Sequence, residues 1–198
     1  GKIIINDQDL SESSSGEIRR NGVAHIPEDR LKNGMSKEAT IAENLLMGKQ
    51  YQKDFAANKI QLKQQAVKKE AANLIEEFDI RTPSAEVSAG SLSGGNMQKM
   101  VIAREFSFDS PILLISQPTR GVDIGAIEFI HQQIINQRDQ GKAVLVVSAE
   151  LSEIMSLSDR IAVIYEGEIV DILSAEEATE EKIMKAAVKE MALKKQPK

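Results

Sequence analysis

Apolar residues along this chain change spacing several times, and each change predicts an element. Lys2-Ile3-Ile4-Ile5-Asn6 is a β-branched run ending in a polar turn, read as a strand entering an existing sheet. Gly22-Val23-Ala24-His25-Ile26 is a second short strand, halted by Pro27 and the charged Glu28-Asp29-Arg30 loop. From Thr40 the pattern turns helical: a Thr cap, Glu43 three residues on, and apolar Ile41, Leu45 and Leu46 form a capping-box start. Ile60, Val67, Ala71, Leu74, Ile75 and Phe78 fall at helical spacing among Lys, Gln and Glu, predicting a longer amphipathic helix from about Asn58 to Asp79.

Arg81-Thr82-Pro83-Ser84 ends that helix, and a Ser/Gly-rich loop leads to Ser93. A helix then runs to about Phe106, with Met97, Met100, Val101 and Ala103 as its expected buried face. Beyond Pro111, strand and helix alternate: Ile112 to Ile115, Ile124 to Arg138, Ala143 to Ser148 and Leu151 to Leu157. Asp159 to Tyr165 and Glu168 to Leu173 flank Glu166-Gly167 as a hairpin, and a helix is expected from Thr179 to about Glu190. The run Val144-Leu145-Val146-Val147 is what a parallel sheet covered on both faces requires. Helices dominate residues 37–108 and α/β alternation the rest, so the expected fold is α/β, a three-layer core with a helical insertion.

Composition narrows the function. At 198 residues the chain can bury a sizeable core, and aromatics are only 4% with no Trp, which argues against a nucleic-acid stacking surface. A net charge of −5 argues the same way, because binders of phosphodiester backbones present basic faces. Zero cysteines exclude disulfides and thiolate metal sites. No apolar run approaches the ~18 residues that span a bilayer, and no signal segment opens the chain. A soluble protein that reaches any membrane through a partner is therefore expected, with Lys194-Lys195-Gln196-Pro197-Lys198 as a solvated tail.

The chemistry concentrates around Leu92-Ser93-Gly94-Gly95-Asn96-Met97-Gln98-Lys99. Ser93 supplies a hydroxyl cap, and two residues without Cβ at a helix start let backbone N–H groups approach an anion closely. By itself, Ser-Gly-Gly reads as an ordinary capped turn. Here it is followed by Ile102-Ala103-Arg104-Glu105, then by an apolar strand and Pro118-Thr119-Arg120-Gly121-Val122-Asp123. Asp123 reads as a helix N-cap for Ile124 onward, and Arg120 as a phosphate, interface or solvated residue. His25 and His131 match no metal-ligand or triad spacing, and Glu28-Asp29 is no glycosidase pair.

Together these motifs resemble the ATP-binding subunit of an ABC transporter, a P-loop NTPase-like fold, over about Gly1 to Leu173. Pro27-Glu28-Asp29-Arg30 and Asn96-Met97-Gln98-Lys99 resemble, more narrowly, the second nucleotide-binding half of the double-length ATPases of sugar importers and their nucleoside-importing relatives. The resemblance implies a core of residues 1–36 and 109–198 around a helical signature subdomain of 37–108. It implies that Ser93, Gly94 and Gly95, with Asn96 and Gln98, face ATP held by an opposite domain, that Asp123 lies on the loop crossing to that site, and that Glu28 stands at the position linking nucleotide to the transmembrane partner. It also implies ATP and Mg²⁺ as cofactors of the assembled transporter, a partner nucleotide-binding domain and permease subunits, and a peripheral place on the cytoplasmic face of the membrane.

The sequence departs from the family at several positions. No G-x-x-x-x-G-K-[S/T] loop occurs, and Gly1-Lys2 is no substitute, so truncation of a longer parent is the expected reason. Ser116 replaces the Asp that supports Mg²⁺, Gln117 the Glu that polarises water, and Ala149 the switch His. A hydroxyl cannot replace that charge, and an amide cannot accept a proton; loss of a general base costs roughly 10²–10⁴ in rate. The expected chain donates a signature to a partner's ATP, binds no nucleotide tightly itself and does not hydrolyse ATP alone. The alternatives are a non-transport ABC-type ATPase head, from chromosome, repair or translation machinery, or a regulatory module without nucleotide turnover.

Overall fold

The computed structural model describes residues 1–58 and 61–186. It comprises two compact units, Gly1–Leu145 and Val146–Lys198. In the first unit, β1 (Ile4–Ile5) pairs antiparallel with β2 (Gln8–Asp9), and α1 (Ser15–Arg20) leads to β3 (Val23–Ile26). A π-helical turn (Arg30–Gly34), α2 (Ile41–Leu46), α3 (Gln64–Glu77) and α4 (Gly94–Phe106) follow, then β4 (Ile112–Ser116) and α5 (Ile124–Asp139). β5 (Ala143–Val147) completes a three-stranded sheet of order β3-β4-β5, in which β3 and β4 run parallel with Val23 opposite Ile112. In the second unit, α6 (Leu151–Leu157) precedes the antiparallel hairpin β6 (Arg160–Tyr165) and β7 (Glu168–Ser174), and residues 180–186 are helical.

Capping chemistry sets most helix starts. Thr40 and Glu43 exchange side-chain and backbone bonds as a full capping box at α2, and Ser14 with Glu17 do the same at α1. Ser93 caps α4 and Asp123 caps α5, each through a side-chain oxygen accepting from a first-turn N–H. The Glu166-Gly167 turn has positive φ at both residues, 47° and 82°, as a tight hairpin loop demands.

α4 is the hub of the first unit, packing on α2, α3, α5, β3 and the π-helical turn. Its burial is wider than the stripe expected from sequence: Gln98, Lys99, Arg104 and Glu105 are buried beside Met100, Val101, Ile102 and Ala103, while Met97 is half-buried. The charges are paired. Glu105, 1% exposed, accepts from Arg104 Nε (2.9 Å), from Arg19 and from the His25 N–H, joining α4 to α1 and β3. Lys99 donates to the Asp79 carboxylate (2.7 Å) and carbonyl (3.0 Å), with its ammonium 4.4 Å above the Phe129 ring. Phe78 meets Phe106 and Phe129 edge-on, each at 6.4 Å, which ties the end of α3 to α4 and α5.

Three sequence expectations change. The first strand does not enter the parallel sheet; Asn6 and Asp7, both at positive φ, fold Ile4–Ile5 back onto Gln8–Asp9. α3 begins at Gln64, because the Lys63 N–H bonds the Phe55 carbonyl and Ala57 bonds Gln61, a local pairing that competes with an earlier helix start. β5 alternates in exposure, with Leu145 and Val147 exposed, and is not covered on both faces within the described residues. Ile60, the end of the helix expected near Glu190 and the Lys-rich tail lie outside the described residues.

The Lys99 contact holds the Asp79 carboxyl below its ordinary value of 3.8, first by its hydrogen bond and then by its charge. A carboxyl that ionises more readily folded than unfolded contributes stability above its ordinary pKa and loses it as pH falls through the depressed one. The urea midpoint is therefore expected to fall below about pH 4, and Asp79→Asn to flatten that part of the profile; parallel profiles for the two proteins would refute the assignment.

Candidate functional site

The α4 N-terminus is built by three loops of the first unit. Ser93 is exposed, and its Oγ accepts from the Asn96 backbone N–H (3.4 Å) and side-chain Nδ2 (2.9 Å). Asn96 Oδ1 accepts from the Arg81 N–H at 2.9 Å, so this side chain fastens the helix start to the loop after α3. Both Ser93 bonds use the oxygen as acceptor, which leaves the hydroxyl hydrogen for an outside acceptor. The N–H groups of Gly94 and Gly95 fall in the first turn, where no intrahelical partner exists. The result is a set of donors at the positive end of a 13-residue helix, with Ser93 exposed, Gly94 half-buried and Gly95 buried.

The glycines are required by packing. A Cβ on Gly95 would lie 2.6 Å from Asp123 Oδ2 and 3.1 Å from Ala126 Cβ. One on Gly94 would lie 3.0 Å from the Gly121 carbonyl oxygen and 3.1 Å from Arg30 Nη2. The Pro118–Asp123 turn therefore sits directly against the first turn of α4. Asp123 does not swing away, because its Oδ1 accepts from the Ala126 N–H at 3.0 Å as the cap of α5.

The third loop is Pro27–Gly34. Asp29 Oδ1 accepts from the Leu31 and Lys32 N–H groups at 3.0 and 3.1 Å, closing the π-helical turn. This aims Arg30 across to the turn before α5, where Nη1 donates to the Arg120 carbonyl (2.7 Å) and Nη2 to the Gly121 carbonyl (3.2 Å). Burial pushes the Arg30 pKa down from its ordinary value and the Asp29 carboxylate acts against that shift. Glu28 pairs with Arg120 on the surface; with both side chains more than half exposed, the pair orients the loops more than it stabilises them.

Of the residues singled out in the sequence, Ser93, Gly94, Gly95, Asn96 and Asp123 thus meet at the start of α4, and Glu28 reaches the adjoining turn through Arg120. Gln98 lies one turn deeper in α4 and is 2% exposed, with its Nε2 unbonded. Ser116 ends β4, half-buried, and Gln117 follows at φ 50°, a left-handed conformation that opens the turn by accepting from the Arg120 N–H. Ala149 is exposed in the second unit between β5 and α6, where Ser148 Oγ accepts from the Glu150 N–H at 3.0 Å. Sequence reasoning missed the reach of Arg30, since no periodicity relates it to glycines 94 and 121. The available signal was a basic residue in a Pro-x-x-Arg loop together with Gly-rich turns elsewhere.

A family model described as ABC transporter matches residues 1–120. The chain belongs to the ABC transporter family. Among curated ABC relatives, it is 45% identical over 183 residues to a guanosine import ATP-binding protein of Bacillus subtilis and 44% identical over 183 residues to a nucleoside import ATP-binding protein of Lactococcus lactis. Each alignment takes in 92% of this chain but 36% of the relative, so the chain spans about a third of their length. A ribose import ATP-binding protein of Clostridium tetani is 37% identical over 95% of this chain and 37% of its own length.

The fold is that of ATP-binding cassettes, a P-loop NTPase-like α/β architecture with a parallel sheet. A dimeric cassette in a post-hydrolysis state with ADP and Pi superposes with TM-score 0.72 at 22% identity, over 88% of this chain and 73% of its own. A nucleotide-free cassette from an ABC transporter gives 0.70 at 19%, over 98% and 76%.

The Gly95–Asp123 approach makes a direct prediction. Gly95→Ala is expected to destabilise by about 1–2 kcal/mol despite the better helix propensity of Ala, because a Cβ cannot share space with a capping carboxylate. In an Asp123→Ser background, which keeps a capping hydroxyl but removes the crowding oxygen, the penalty should shrink to what the 3.1 Å approach to Ala126 Cβ leaves. Equal penalties in both backgrounds, measured by chemical denaturation, would show that the close contact is not the cause.

Proposed function

We propose that this chain is part of the ATP-binding subunit of a sugar or nucleoside importer, corresponding to its second nucleotide-binding half. In this reading it donates the Ser93–Gly95 helix start to ATP bound by a partner nucleotide-binding domain, while its own site is degenerate. The observation that carries the reading is a contrast. The α4 N-terminus is capped by an exposed Ser93 and closely buttressed at Gly94 and Gly95, whereas Ser116, Gln117 and Ala149 lack the charge and basicity a hydrolytic site needs. The names of the nucleoside and ribose import relatives support the solute class.

The residues fit the two parts of Mg-ATP differently. The Ser93 hydroxyl and the Gly94 and Gly95 N–H groups suit a terminal phosphate presented from outside, with Asn96 and the buried Gln98 supporting the helix that carries them. ATP supplies the phosphoanhydride bond; this chain's part is to donate hydrogen bonds to charge that develops there. The hydroxyl of Ser116 and the amide of Gln117 do not suit Mg²⁺, a hard cation that prefers carboxylate oxygens. Among the described residues no group of three or more His, Asp or Glu could hold a metal ion.

The proposed division is a core of residues 1–36 and 109–198 with a helical signature subdomain of 37–108. Glu28 then faces the permease side, and the subunit docks on transmembrane partners at the cytoplasmic face. No helix among the described residues is long and apolar enough to cross a membrane, which suits a peripheral subunit.

In the assembled transporter, Ser93→Arg is expected to abolish ATP hydrolysis, by placing a large side chain where the phosphate must approach. Gln117→Ala should change the rate by less than about twofold, since a general base worth roughly 10²–10⁴ is already missing. Hydrolysis that survives Ser93→Arg but collapses with Gln117→Ala would reverse the assigned roles.

A further inference from the structure

Arg30 occupies a place that neither its own loop nor general solubility explains. Its guanidinium reaches ninety residues along the chain to two consecutive backbone carbonyls, Arg120 and Gly121, one nitrogen to each. It does so between two glycines of different loops. Nη2 is 3.1 Å from where a Gly94 Cβ would stand and 3.6 Å from where a Gly121 Cβ would stand, with Gly121 at φ 65°. Any larger residue at 94 would crowd the fork. The remaining nitrogen, Nε, is buried without a hydrogen-bond partner, which costs stability and is tolerated at functional positions. A cation beside a helix N-terminus is also unfavourable to the helix itself. These two costs are set against the two carbonyl hydrogen bonds, which an apolar side chain could not supply, so what Arg offers here is the fork itself.

We propose that Arg30 is a positioning residue that locks the Arg120–Asp123 turn against the Ser93–Gly95 helix start, so that both present to a partner's nucleotide as one rigid surface. The proposal rests on the reading that Ser93–Gly95 faces a nucleotide in trans, and adds the residue that fixes its geometry. The fork matters: the two carbonyls are met by donors on two separate nitrogens held in one plane, which a guanidinium offers and an ammonium, with all its donors on one nitrogen, does not. Asp29 and Glu28 brace the start of the same loop, the first closing its turn and the second pairing with Arg120. A displacement of the Pro27–Arg30 loop would therefore be transmitted to the helix start.

The test uses the ATPase subunit assembled with its permease in proteoliposomes. Arg30→Lys keeps the charge and loses the fork; it is expected to lower kcat about tenfold, since a misplacement of about 1 Å can cost up to 10²-fold. KM for ATP should stay within about twofold, because the nucleotide is held mainly by the partner's own site. The melting temperature of the assembly reports whether global stability is retained, and Arg30→Met, which keeps the packed stem, replaces the lysine variant if that one does not assemble. Ser93→Arg is measured in parallel. If it abolishes hydrolysis while the Arg30 variants turn over normally, the positioning role is wrong and the trans reading stands. A raised KM with unchanged kcat would place Arg30 on the nucleotide and overturn the positioning role. Normal hydrolysis by Ser93→Arg would overturn the trans reading and this inference with it.

Discussion

The first turn of α4 and the turn before α5 approach each other more closely than side chains on both would allow, and the rest of the site follows from that contact. Gly95 has no room for a Cβ beside the Asp123 carboxylate, and Gly94 has little beside the Gly121 carbonyl and Arg30. Once those two segments touch, exposed Ser93 caps the helix, the Gly94 and Gly95 N–H groups have no intrahelical partner, and the start of α5 is fixed in the same step. The buried charges of α4 serve this arrangement from behind. Lys99 is satisfied by Asp79, and Glu105 by Arg19 and the His25 N–H beside its helix neighbour Arg104, so the helix cannot turn about its axis without stranding a charge.

A helix terminus of this kind can help phosphate chemistry without holding a base or a metal. Its donors are fixed by the backbone and need no reorganisation when charge develops on a phosphate. On the proposed reading, an intact Ser93–Gly95 segment therefore keeps a role beside Ser116 and Gln117, which supply neither a carboxylate for a cation nor a base for water. The close packing of the glycines is a constraint within this chain; the Ser and Gln at the strand end bear on the chemistry proposed for it.

Elements whose cause is local were legible in the sequence. The Thr40–Glu43 capping box, the Ser93 cap, the β4 strand and the Glu166-Gly167 hairpin each carry their signal within a few residues. Local competition defeated the reading elsewhere: the Asn6-Asp7 turn captured the first strand, and pairing around Phe55 and Lys63 delayed α3. The α1 helix was missed although Ser14 and Glu17 form a capping box, because it buries no residue and so shows no apolar stripe. At the site, the signature residues were legible as a motif. The contacts of Arg30, and the reason glycine is needed at 94 and 95, were not, since they arise between loops far apart in sequence.

The central claim is that this chain serves a phosphate it does not itself bind. Vanadate trapping of nucleotide in the assembled transporter tests it most directly. The account predicts one trapped ADP for each pair of nucleotide-binding domains, located by photolabelling on the partner domain and lost with Ser93→Arg. Two trapped nucleotides, or a single one labelled on the domain that contains Gln117, would contradict it.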